Sequence, residues 1–189
     1  MKMRPGKDCF VVFALAISLA LAVVPAAATP LEQWASTVIG FSSQWSDGEW
    51  AASQALGAPD TFAYGDISTA WAPSSEDGTL EYITLGYAAP VYATGAVIRE
   101  TCGNGMVYQV DVLDLNDVLH TVWTGTDPSL PGTPVDFPVS WTKTAYPVNG
   151  LKIYINTSHQ LNEWEEIDAV KLIGYGIGNT PPNMLLLDK

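Results

Sequence analysis

The stretch Leu80 to Thr101, LEYITLGYAAPVYATGAVIRET, constrains this chain more than any other. It is rich in Ile, Leu, Tyr, Val and Thr, and Ala88-Ala89-Pro90 divides it. Such runs, bounded by Gly and Pro, are the strongest β signal a single sequence carries. The stretch therefore predicts two central strands joined across the Ala-Ala-Pro break. The alternation is imperfect. Ile83 and Leu85 share a face with Glu81, while Val97 and Ile98 are neighbours, as in strands covered on both faces for part of their length. No catalytic motif falls on this pair.

The rest of the chain supplies strands to pack around it. Val38 to Phe41 is short. Val107 to Asp114 alternates, with Tyr108, Val110 and Val112 on one face, and Asn116-Asp117 turns it into Val118 to Thr124 as a hairpin. Asp136 to Trp141 contains Pro138, which confines it to an edge. Leu151, Ile153 and Ile155 face inward, and Ile167 to Gly174 is the last strand. Trp50 to Leu56 allows one or two helical turns before Gly57 and Pro59 stop it. Residues 57–78 form a long loop with Trp71 near its middle, and such loops carry a site or pack on themselves. The pattern predicts an all-β jelly-roll sandwich of about eight antiparallel strands.

The N-terminal segment is read apart from this fold. Lys2, Arg4 and Lys7 precede an apolar run from Phe10 to Val24, and Ala26-Ala27-Ala28 follows it, which together make a secretory signal. Cleavage after Ala28 leaves a lead-in at 29–37, the sandwich at 38–174 and a tail at 175–189. No second apolar stretch approaches the ~20 residues of a spanning helix. The formal net charge is −12, and losing the leader makes it more negative still. Such a surface argues against nucleic acid and anionic membranes, and suits cations, neutral sugars or basic partners. With Cys9 removed, Cys102 is alone. It is expected to be a structural thiol, with a reactive or intermolecular role as the other reading.

Three blocks, FSSQWSDGEWAASQALGAPD, LEYITLGYAAPVYATGAVIRE and EEIDAVKLIG, resemble a discoidin-like (galactose-binding-like) jelly roll. The branch is the one attached to an F-box leucine-rich-repeat protein and to pappalysin-type secreted proteins. Similar domains occur in bacterial exported proteins with a C-terminal sorting signal. The resemblance covers about Val38 to Gly174. It departs from the exported bacterial pattern at NMLLLDK, which lacks a hydrophobic tail and basic stop.

Asp168 shares a face with Val170 and Leu172 by alternation, so its carboxylate needs a partner, backbone donors or a metal. The resemblance implies that the last strand lies beside the early loop and that the two hold a structural calcium. Asp60 and Asp168 are then the first candidate ligands, and Asp66 and Glu166 the next. The plain alternative is that Asp168 caps loop amides and Asp60 completes a turn. Trp45, set among polar residues, is the best platform for a sugar ring, followed by Tyr64. Trp50, Trp71 and Trp164 are expected to cover the ends of the core. Arg99 either orients a ligand or pairs with a nearby acid. His120 and His159 lack a nucleophile context, and Glu163, Glu165 and Glu166 are too close in sequence to face each other across a glycosidic bond. The expectation is a secreted, non-catalytic module that binds carbohydrate or an extracellular protein through loops at one end. The alternatives are a protein-interaction module and, after it, a glycoside hydrolase.

Overall fold

The computed structural model describes Lys2 and residues 28–178. Most of the expected leader and most of the expected tail lie outside these residues. Eight strands follow in chain order: β1 Leu31–Trp34, β2 Thr37–Phe41, β3 Leu80–Cys102, β4 Val107–Asp114, β5 Leu119–Thr124, β6 Val135–Ser140, β7 Val148–Asn156 and β8 Glu166–Gly176. The helical composition around Trp50 yields one 3-10 turn, Ala52–Ala55.

The two strands expected within 80–101 are one strand that bends. Leu80 to Gly86 pairs antiparallel with β7 on one side and β2 on the other. From Val91 onward the strand pairs with β8, and Gly95 to Glu100 pairs also with β6. Ala88-Ala89-Pro90 is thus a corner where β3 crosses from one layer of the sandwich to the other. Pro90 falls where the ladder is interrupted, the position at which its missing N–H costs nothing. One layer reads β2, β3, β7, β4, β5 and the other β6, β3, β8, β1. Gly86 lies opposite Gly150 just before the corner. A Cβ on Gly86 would collide with Thr37 Oγ1, and one on Gly150 would stand 2.9 Å from Leu113 Cβ, so the close approach needs both glycines.

Ile83, Leu85 and Ile98 of β3 meet Val110, Val112, Leu151, Ile153, Ile155, Ile167 and Leu172 between the layers, all of them buried. Removing one such side chain to Ala costs about 2–5 kcal/mol. Two alternation readings need correction, both because of β-bulges. In β4 the register shifts between Val107 and Gln109, so Val107 joins Val110 and Val112 in the core. Tyr108 is left outside, against Tyr154 at 6.0 Å. In β8 the register steps from Ala169 to Ile167, so Ile167 takes the core face with Val170 and Leu172. Asp168 is the residue left over, and the bulge aims it elsewhere.

The lead-in 29–37 also holds a strand. The four residues of β1 add an edge to β8, where Lys171 bonds Glu32 at 2.9 Å and lies 4.7 Å from the Trp34 ring. Trp71 anchors the long loop. Its backbone exchanges two hydrogen bonds with Ile167, its indole N–H donates to Ser43 O at 3.1 Å, and it is fully buried. The register places Leu80 beside Asn156, Val107 beside Ile155 and Cys102 beside Glu166. The loops 42–79, 103–106, 125–134 and 157–165 therefore gather at one end.

Candidate functional site

At that end a cleft of about 80 Å³ is lined by Trp45, Trp50, Asp66, Ala72 and Trp164. Trp45 is 54% exposed, an unusual state for so large an apolar side chain. It meets Trp164 edge to face, with ring centroids 5.1 Å apart. Trp50 has φ 53°, left-handed for a bulky residue, which costs on the order of 1–3 kcal/mol. Two backbone bonds hold it there, Trp50 N–H to Ser68 O at 3.1 Å and Ala72 N–H to Trp50 O at 3.2 Å. The strained backbone turns the indole so that Nε1 donates to Glu166 Oε1 at 3.0 Å while the ring lines the cleft.

Glu166 is fully buried. Besides Trp50 it accepts from the Ile67 amide, at 3.2 Å to Oε1 and 3.3 Å to Oε2, and from the Thr101 hydroxyl at 3.5 Å. Burial, and then the Asp66 carboxylate beside it, pushes its pKa up to about 9. Asp168 is treated alike. The Asp60 and Thr61 amides donate to it at 3.2 Å each, and burial raises its pKa to about 6, with the neighbouring Asp60 carboxyl adding to the rise. Asp60 with Asp168 and Asp66 with Glu166 are thus brought together as two pairs. In each pair the buried member already spends its oxygens on N–H donors. Among the described residues there is no cluster of three or more His, Cys, Asp or Glu side chains fit to hold a metal.

Tyr64 lies against the segment that precedes Trp164, and its hydroxyl is committed. It donates to Glu163 Oε1 at 2.9 Å and accepts from the Gly103 amide at 3.2 Å, and burial first, then Glu163, pushes its pKa up to about 12. Arg99 sits elsewhere, on the outside of β3, bonded to Asp136 across the β6 pairing at 3.1 Å. Cys102 is buried and held as the thiol. Burial, with Glu166 and Glu163 close by, raises its pKa to about 12. The three glutamates diverge: Glu163 takes Tyr64, Glu166 faces the loop amides, and Glu165 is fully buried, its pKa raised to about 9 by burial.

A further group was not singled out from the sequence. Glu100, Asn104 and Asp127 are 0%, 0% and 3% exposed, although two are carboxylates. The signal was present for Glu100, two residues beyond the buried Ile98 and so on its face of the strand.

A family model described as "Pappalysin-1, SD scarf domain, C-terminal" matches residues 25–177. No curated protein matches the chain. Among solved structures, the family 32 carbohydrate-binding module of C. perfringens NanJ, in complex with galactose, superposes with a TM-score of 0.55 at 16% identity, over 76% of this chain and 99% of that one. The family 32 module of Streptococcus pneumoniae EndoD gives 0.54 at 12% identity, over 73% and 94%. Reduced XRCC1 bound to the DNA pol beta catalytic domain gives 0.56 at 13%, over 75% and 98%. At these identities the likeness shows the fold, the galactose-binding-like sandwich that the three sequence blocks suggest. With all eight described strands inside the matched residues, the chain belongs to the pappalysin-1 SD scarf domain, C-terminal family.

Proposed function

We propose that the protein is an exported, non-catalytic carbohydrate-binding module whose ligand sits on Trp45 in the cleft bounded by Trp50, Trp164 and Asp66. The observation that carries this reading is the exposed Trp45 ring beside an acceptor carboxylate, on the loop end of this fold. A sugar presents C–H groups on one side, which stack on an indole face, and hydroxyls at its rim, which donate to a carboxylate. The galactose complex of the NanJ module, on the same fold, supports the class of ligand. Export rests on the leader read in residues 1–28. The site then acts by holding a glycan surface, with Asp66 as acceptor and Trp45 as platform.

A glycan array, followed by titration of the retained sugar, tests this. Trp45→Ala is expected to abolish retention with an unchanged melting temperature. Full retention in that variant rejects the platform. XRCC1, on a similar fold, is bound to the DNA pol beta catalytic domain, which supports a second reading as a protein-interaction module. That reading predicts capture by a protein and silence on the array.

A further inference from the structure

Where the 103–106 turn meets the 125–134 loop, three buried side-chain oxygens have no donor: Glu100 Oε1, Asn104 Oδ1 and Asp127 Oδ2. Their other atoms fix them in place. Glu100 Oε2 accepts from the Gly105 amide at 2.8 Å, and Asp127 Oδ1 accepts from the Ser129 amide at 2.9 Å. Asn104 Nδ2 donates to Leu130 O at 3.1 Å and Thr133 O at 2.8 Å, which leaves no doubt which end of the amide is oxygen. The Glu100 and Asp127 carboxyls lie within hydrogen-bonding reach of one another. The two segments also touch through the backbone, since a Cβ on Gly105 would stand 2.8 Å from Ser129 O.

Buried oxygens without donors are costly, by about 1–3 kcal/mol each and more when charged. Two charged carboxylates in contact cannot stand unneutralised. A proton shared between Glu100 and Asp127 would satisfy that pair and leave Asn104 Oδ1 orphaned. A hard cation coordinated by all three would leave none of them orphaned. We propose that Glu100, Asn104 and Asp127 bind a calcium ion that ties the 103–106 turn to the 125–134 loop. Calcium takes 6–8 oxygens at about 2.3–2.6 Å, so main-chain carbonyls and water complete the shell. An entry path exists, because Asp127 borders an open cleft of about 130 Å³ shared with Thr126, Asn156 and His159. The site is separate from the pairs Asp60–Asp168 and Asp66–Glu166, and the inference stands independently of the carbohydrate reading.

Thermal unfolding of the protein in chelator and in calcium is the test. At calcium a hundredfold above its Kd, the midpoint is expected to rise by roughly 5–10 °C. Glu100→Gln and Asp127→Asn should each abolish that rise, and Asp168→Asn should retain it. No rise in the wild type overturns the proposal. A rise that survives Glu100→Gln and Asp127→Asn but is lost in Asp168→Asn overturns it too, and moves the ion to the Asp60 pair. Should neither variant fold, the anomalous peak of terbium soaked into crystals of the wild type decides, at Glu100 and Asp127 or away from them.

Discussion

Two sets of buried acids sit at the same end of the sandwich and are handled in opposite ways. Glu166 and Asp168 reach out of β8 into the long loop and are met by amides of Ile67, Asp60 and Thr61 and by the Trp50 indole. Glu100 and Asp127 meet each other, with one backbone amide apiece. The first set is a folding device, in which carboxylates from a strand organise a loop that has no ladder of its own. The second keeps buried oxygens that no donor meets, and is the set we propose to bind calcium. Burial alone does not distinguish them. The donors around each oxygen do.

The sharpest way to break this contrast is to remove Glu166. Glu166→Leu strands the Trp50 and Ile67 N–H groups and should destabilise the domain by about 3 kcal/mol in urea unfolding, with chelator or calcium alike. A loss that calcium rescues would show that Glu166 belongs with the metal set. Next comes pH. Glu165 and Glu166 titrate near 9 when folded, against the usual 4.5, so the folded chain holds more protons across that window. In chelator, stability should fall as pH rises from about 4.5 to about 9, read as a declining midpoint in thermal scans. A midpoint that climbs over the same range would mean that both groups are ionised in place.

Asp168→Ala should cost about 2 kcal/mol by freeing the Asp60 and Thr61 amides, and the cost should ignore calcium. Glu100→Gln is the counterpart. In chelator it should be close to neutral, because its amide can donate to Asp127, and it should be destabilising relative to wild type only in calcium. Equal losses for these two variants in chelator would erase the distinction. Smallest is Trp45→Ala, expected within about 0.5 kcal/mol of wild-type stability because the ring is already half in solvent.

Much of the architecture was legible. The strand-forming runs, the edge position of Pro138 and the inward faces of Leu151, Ile153 and Ile155 follow from side-chain period and backbone chemistry. The bulges were not, because an extra residue reverses the alternation without any residue type announcing it. Tyr108 and Asp168 were misplaced for that one reason. The corner at Ala88-Ala89-Pro90 was seen as a break, while the choice of partners for each half depends on residues as far away as Asn156 and Glu166. The exposure of Trp45 could be read from its polar surroundings. The Glu100 group could not, since Asp127 comes from a proline-rich loop whose approach to the 103–106 turn is purely tertiary.

The unbroken run of β3 through both layers has a consequence for how the chain folds. Neither layer can be completed without it, and its neighbours β7 and β8 are among the last segments of the described chain. Closing such distant pairings comes late and is entropically expensive, so folding on the order of milliseconds to seconds is the natural regime. Both layers must then condense together, and a nascent chain that stops short of β8 exposes half of its central strand. The element that welds the finished sandwich is also the one left bare the longest while it is being made.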